Sequence, residues 1–270
     1  MLAKVLIDNI ADKSYCSEWG LSVHIEHNGK NILLDTGASG RFSENAKKMG
    51  IDLEKIDYGV LSHAHYDHSD GMDNFFKLNS KAKFFLRKPA QENCYGRRFI
   101  FSRYIGIKKG LTEKYKNRIE YVSGTFEVCD GVYLLGHTTD NLDIAGKKAG
   151  MYIKKDKRFL PDDFSHEQSL VIRTSKGLLI FNSCSHGGAD NIINEVSREF
   201  PQEPIYALIG GFHLYRSSEN EVRELAERIK KTGIEKIYTG HCTGEKAFRL
   251  LAQELPGKAF QLRVGLEIEA

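Results

Sequence analysis

Ser62-His63-Ala64-His65-Tyr66-Asp67-His68-Ser69-Asp70-Gly71 puts three imidazoles and a carboxylate within six residues. All four are good ligands for a borderline metal such as zinc. Ten histidines spread over 270 residues would seldom gather in this way by chance. The segment before the cluster, Tyr58-Gly-Val-Leu-Ser62, reads as a short strand, so the cluster lies just past a strand end. There, residues two apart project to one side. His63 and His65 are placed to grip one ion, while the turn carries Asp67 and His68 toward a neighbouring position.

Three more histidines follow apolar strand patterns: His186 after Leu178-Leu-Ile-Phe-Asn182, His213 after Ile205-Tyr-Ala-Leu-Ile209, and His241 after Ile237-Tyr-Thr239. They are spaced 27 and 28 residues apart, about one strand-helix-strand crossover each. Right-handed crossovers return successive strand ends to the same sheet edge, where α/β proteins hold their ligands, so all three are able to reach one cleft. Glycines flank each of them (Gly187-Gly188, Gly210-Gly211, Gly240 and Gly244) and permit tight turns beside a metal pocket.

Outward from these loops, residues 3–8 read as a buried strand, and Leu21-Ser-Val-His-Ile-Glu26 leads through Asn28-Gly29, a hairpin signal, into Asn31-Ile-Leu-Leu-Asp35. Residues 39–49 suit a helix closed by Gly50. From Gln168 a hairpin is expected, then helices near 190–200, 218–231 and 244–254 alternating with strands at 204–209, 236–238 and 259–264. Ser218 and Glu221 have the spacing of a capping box. Strands first and strand-helix units afterwards imply helices packed on sheets. Residues 87–130 show no clean period and read as a basic insertion of short helices and loops, able to act as a lid over a single domain spanning 1–270.

Composition narrows the function. A hydrophobic fraction of 41% and a charged fraction of 28% fit a globular protein and exclude disordered or fibrous chains. No stretch approaches the ~18–20 apolar residues of a membrane span, and the start lacks the pattern of a signal peptide. Five dispersed cysteines without a CxxC pair speak against a disulfide framework, so a cytoplasmic location is expected. The net charge of +3 conceals a basic stretch: residues 81–120 hold twelve Lys/Arg against three Asp/Glu, the remainder 27 against 33. Interleaved aromatics there are compatible with an anionic ligand or nucleic acid, although a solvated face is the commoner outcome.

The signature His63-x-His65-x-Asp67-His68 resembles that of the metallo-β-lactamase superfamily, as do Cys184-Ser-His186-Gly-Gly and Gly240-His241-Cys-Thr-Gly244. Leu34-Asp35-Thr-Gly37 is similar to the superfamily's early aspartate turn, which implies that Asp35 supports the site without binding metal. The resemblance spans nearly the whole chain. It implies an α/β fold, a four-layer αββα sandwich with mixed sheets, with His63, His65 and His186 in a first metal position and Asp67, His68 and His241 in a second. The finer wording, including Gly-Gly-Phe-His213-Leu214, resembles the subgroup containing an archaeal synthase that joins a dihydropterin to a ribofuranosylaminobenzene phosphate. At His213 many superfamily members carry an aspartate that bridges two metals, which an imidazole with one protonated nitrogen does not do. His213 is therefore expected as a terminal ligand, a proton shuttle or a hydrogen-bond donor.

Cys184 and Cys242 adjoin two of these histidines and are chemically able to enter the shell, although packed thiols are commoner. Glu167, Asp162 and Asp163 read as surface loop carboxylates outside the site. The expected activity is hydrolysis of a small substrate, anionic or neutral, by a metal-bound hydroxide. One or two zinc ions are expected, with iron or manganese as alternatives, and Asp67 and His213 take the catalytic roles. The rivals are a metal-dependent transferase of the synthase type, a nucleic-acid processing enzyme, a di-iron redox protein and a non-catalytic metal module. Nucleic acid is the less favoured partner, because nucleases of the superfamily generally carry a further clamp domain.

Overall fold

Alternation along the strands dictates the layers. In Lys30–Leu34, Ile32 and Leu34 face one way and Leu33 the other; in Gly177–Phe181, Leu179 and Phe181 oppose Leu178 and Ile180. Strands apolar on both faces need cover on both. The computed structural model, which describes residues 1–270, supplies that cover with two seven-stranded sheets packed face to face and helices outside each. The first sheet runs in the order Glu267–Glu269, Leu2–Ile7, Ser22–His27, Lys30–Leu34, Tyr58–Val60, Lys83–Arg87, Ile119–Val122. The second runs Ala259–Gln261, Lys236–Thr239, Ile205–Gly210, Gly177–Phe181, Gln168–Thr174, Val132–Gly136, Phe126–Cys129.

Three apolar cores separate four layers. Val23, Ile25 and Leu34 meet Leu134, Ile172 and Phe181 between the sheets. Leu33, Phe84 and Leu86 pack against the helices Arg41–Lys48 and Met72–Leu78. Ile180, Leu208 and Ile237 pack against Ala189–Glu199, Glu219–Lys231 and Glu245–Glu254. This is the αββα sandwich. Asn28 and Gly29, with φ of 46° and 71°, make the expected tight hairpin, and the Ser218–Glu221 capping box is formed on both arms.

Each sheet is half antiparallel and half parallel. Lys30–Leu34, Tyr58–Val60, Lys83–Arg87 and Ile119–Val122 run parallel, as do Gly177–Phe181, Ile205–Gly210, Lys236–Thr239 and Ala259–Gln261. Parallel strands deliver their C-terminal loops to one edge, and these carry Asp35, residues 62–68, His186, His213 and His241. Gly210 shows how closely the parallel strands approach there. Its φ is +144°, and a Cβ would stand 1.9 Å from the Asn182 carbonyl oxygen, so a side chain is excluded.

Residues 87–130 differ from the expectation of short helices and loops. They hold the hairpin Cys94–Arg98 and Phe101–Tyr104, the short helix Leu111–Lys114, and edge strands of both large sheets. Met151–Lys155 and Arg158–Pro161 complete the hairpin into a third, four-stranded antiparallel sheet. Its strands are four or five residues long and carry little burial, so no alternation builds up in the sequence. At the hairpin tip, Phe99 and Ile100 are each 86% exposed. No helix is long and apolar enough to cross a membrane.

Candidate metal centre

The loops at the strand ends are held in costly conformations. Asp35, Ser185, His213 and His241 all have φ between 47° and 55°. For residues with a Cβ, the left-handed region costs about 1–3 kcal/mol each, and such strain persists where surrounding structure over-determines it, often at functional sites.

His63, His65, Asp67, His68, His186 and His241 are buried together, and the half-buried His213 stands beside them. The ring of His63 lies 4.6 Å from that of His65, 4.3 Å from His68 and 5.0 Å from His186; His68 lies 5.0 Å from His241, and His186 4.5 Å from His213. The structure thus brings together every residue expected at the site. The ring nitrogens of His63, His65 and His186 lie within 4.8 Å of one another. Asp67 Oδ2 stands 3.5 Å from His241 Nε2 and 3.7 Å from His68 Nε2. Nε2 of His63, His65, His186 and His241, and Nδ1 of His213, are buried without a hydrogen-bond partner. An unmet buried polar atom costs about 1–3 kcal/mol, and those of His63, His65 and His186, close together, suit a bound cation. The donor set fits a divalent metal.

Behind these donors is a second layer of polar contacts. Asp35 accepts from Ser62 N at 2.7 Å, from Ser62 Oγ and Ser183 Oγ at 2.6 Å each, and pairs with His68 Nδ1 at 2.8 Å. Ser62 Oγ also meets His63 Nδ1 at 2.8 Å. Asn9 Oδ1 meets His241 Nδ1 at 3.1 Å, and Asp8 accepts from the His241 amide at 3.0 Å. These bonds orient the rings and support the expectation for Asp35.

Two carboxylates set aside as surface groups are fully buried: Glu167 and Asp162; only Asp163 is exposed. Glu167 accepts from the amides of His186 and Gly187 at 3.1 Å each and contacts His137 Nε2 at 2.5 Å, while His137 Nδ1 meets Glu195 at 3.0 Å. Asp162 bonds His166 Nε2 at 3.1 Å, and His166 Nδ1 accepts from the Ala64 amide at 3.2 Å, pinning the residue between His63 and His65. His137 follows the end of Val132–Gly136 just as the other histidines follow their strands, a signal that would have found it; the pairing of His166 with Ala64, 102 residues apart, leaves no such trace.

Electrostatics separate the imidazoles. Burial pulls His65 and His241 down to about 3 and carries His63 and His186 well below their ordinary value, so all four are neutral and ready to donate a lone pair. Burial also opposes charge on His68, but Asp67 and Asp35 outweigh it and lift His68 to about 9. His137, between Glu167 and Glu195, rises to about 9 against the same burial.

His65, Asp67, His186 and His213 floor a cavity of about 470 Å³. Its walls carry Arg97, Arg98, Arg103 and Arg216, none paired with a carboxylate, alongside Trp19, Tyr66 and Tyr215. Arg97 stacks 4.3 Å over the Phe159 ring, its Nε buried and unpartnered. The arginine hairpin is fixed to the histidine loop by the His65–Gly106 bridge and the Tyr66 amide bond to the Ile105 carbonyl at 2.9 Å.

A four-layer αββα sandwich with histidine and aspartate donors on its strand-end loops defines a metallo-β-lactamase-type protein. The chain belongs to the metallo-β-lactamase superfamily, whose family model matches residues 20–140. It is 30% identical over 267 residues, covering 93% of this chain and 90% of the other, to the 7,8-dihydropterin-6-methyl-4-(beta-D-ribofuranosyl)-aminobenzene-5'-phosphate synthase of Methanocaldococcus jannaschii. It superposes with a TM-score of 0.86 and 32% identity on Tm1679, a metal-dependent hydrolase of the beta-lactamase superfamily, over 100% of this chain and 99% of that one. The metallo-beta-lactamase fold protein YhfI from Bacillus subtilis shares the fold at a TM-score of 0.62 and 12% identity, over 100% of this chain and 99% of that one.

Proposed function

We propose that the chain is a metal-dependent hydrolase of a small anionic substrate that carries a planar ring. The observation that supports this most is the cavity, where four arginines without acidic partners surround a floor of unpartnered metal donors. His63, His65 and His186 would hold one divalent ion, and Asp67, His68 and His241 another, zinc first, with iron or manganese as alternatives. Bound there, the metal supplies Lewis acidity that polarises a substrate oxygen and acidifies water.

The chain's own residues do the rest. Arg97, Arg103 and Arg216 hold the anionic group, phosphate or carboxylate, by charge-assisted bonds. Trp19, with its ring 5.5 Å from that of Tyr215, offers a face for a planar ring. His213, on the cavity wall with an unpartnered Nδ1, passes a proton to the departing group. Asp67 orients the reacting groups beside His68 and His241.

Likeness to the synthase supports a second reading, in which the same arginines stabilise an anionic leaving group while a second ring-bearing substrate attacks. One experiment separates them. The metal-loaded protein is incubated in heavy-oxygen water with a panel of phosphomonoesters, cyclic phosphodiesters and lactones, with and without an arylamine acceptor. Label in the product supports hydrolysis; an unlabelled, acceptor-joined product overturns it in favour of transfer.

A further inference from the structure

Cys184 stands at the hub of the donor cluster. Its Sγ is grouped within 4.8 Å of the donor atoms of His63 and His68, of His186 and His213, and of His241 and Cys242. Cys184 is buried among these donors, and thiolate is a strong zinc ligand. The distances are more specific. His68 Nε2 lies 3.3 Å from Cys184 Sγ and 3.7 Å from Asp67 Oδ2, and Asp67 Oδ2 lies 3.5 Å from His241 Nε2. In a tetrahedral zinc site with bonds of ~2.0–2.3 Å, neighbouring donors stand about 3.3–3.6 Å apart. The three contacts that join Cys184, His68, Asp67 and His241 in sequence already have nearly that spacing, and Cys184 Sγ lies within 4.8 Å of the His241 donor.

We infer that Cys184 is the fourth protein ligand of the second metal position, closing it with Asp67, His68 and His241, while the position of His63, His65 and His186 stays open. This rests on the reading of the cluster as a metal centre. On binding, a metal–sulfur bond forms as the S–H bond breaks, and the proton leaves to solvent. Closed sites with four protein ligands are structural, whereas sites with three keep a vacancy for water or substrate. The two positions therefore divide the work. The three-imidazole position faces the chemistry, and the sulfur-bearing one fixes the loops and the local charge. The missing aspartate at position 213 then has a counterpart, and His213 is free to move protons.

Cys242 is the competing thiol, with its sulfur 3.5 Å from that of Cys184. It is otherwise engaged: it accepts from the His213 amide at 3.2 Å and packs against Gly211, where a Cβ would stand 2.5 Å from the sulfur. These contacts commit it to the loop, although it also reaches the cavity wall.

The test is cobalt(II) loading of the wild type, Cys184→Ser and Cys242→Ser, reading metal content and the near-ultraviolet thiolate-to-cobalt charge-transfer band. The wild type and Cys242→Ser should bind two ions and show the band. Cys184→Ser should lose the band and bind its second ion at least about 100-fold more weakly, since losing a supporting group alone costs ~10–100-fold. Cobalt bound to the wild type without the band, or a band abolished in Cys242→Ser or kept in Cys184→Ser, overturns the assignment and leaves the metal centre standing. A wild type that binds no metal overturns both. Should Cys184→Ser not fold, Cys94→Ser is read beside Cys242→Ser, since Cys94 is the other thiol grouped with a site histidine, and a band kept in both leaves Cys184 as its source, whereas a band lost in either overturns the assignment.

Discussion

His213 sits at φ 48° on the cavity wall, with a buried Nδ1 that has no hydrogen-bond partner and no ion-paired carboxylate. Its conformation costs the chain stability, and the proposed function puts its ring to chemical use. Two outcomes follow. His213→Ala should retain both metal ions and lose about 10²–10⁴-fold in kcat with little change in KM, the usual weight of a general acid, as read by steady-state kinetics and elemental analysis. His213→Gly should be equally inactive but about 1 kcal/mol more stable than His213→Ala in denaturant titration, because glycine bears no left-handed penalty. Loss of a metal ion in either variant would make His213 a ligand instead. At Asp35, one carboxylate serves Ser62, Ser183 and His68, so Asp35→Ala should weaken metal binding ~10–100-fold by competition titration without removing a donor. Unchanged affinity would show that those contacts do not set the rings. Residue types were the most legible feature of the chain: the HxHxDH run named its own chemistry. Burial was not legible, and Glu167 illustrates why. Nothing local separates a loop carboxylate in water from one that caps the His186 turn.

At the scale of elements, a buried chain links the strand Val132–Gly136 to the helix Ala189–Glu199 through Glu167, His137 and Glu195. Burial would lower the pKa of His137, yet the two carboxylates outweigh it and raise it to about 9. The folded state therefore holds this proton more tightly than the unfolded chain. The resulting stability is fully present below the unfolded value of ~6.5 and is lost as pH climbs through about 9. The melting temperature of the wild type should fall between about pH 7 and pH 9 relative to that of His137→Gln, and parallel profiles would contradict the ion pairs. At about pH 6, where the wild-type imidazolium is paired with both carboxylates, His137→Gln itself should cost about 3–5 kcal/mol, since it leaves buried carboxylates unpaired. The hairpin Cys94–Arg98 and Phe101–Tyr104 belongs to this scale too. Arg97→Ala with Arg103→Ala should raise KM for an anionic substrate by about tenfold or more while sparing kcat, with a weaker salt dependence than the wild type. Strands with two apolar faces, such as Gly177–Phe181, were plain in the sequence, and so was the capped helix Glu219–Lys231. The third sheet was hidden because its strands come from residues 94–104 and 151–161 and bury little.

Across the whole molecule, the two sheets repeat one plan, antiparallel on one side and parallel on the other, and their parallel halves send five loops to a single edge. That convergence brings His63 beside His186, 123 residues later in the chain, with rings 5.0 Å apart. Spacing hinted at it, since crossovers of 27 and 28 residues return His186, His213 and His241 to one side. The placing of Trp19 and Arg216 in the same cavity depended on packing that no periodicity encodes. The account stands on the metal centre, and the most direct test is elemental analysis of the purified protein beside a His63→Ala/His65→Ala variant. Two divalent ions per wild-type chain, with at least one lost from a folded variant, is the predicted result. A wild-type protein without metal, or a variant that retains both ions, would contradict it.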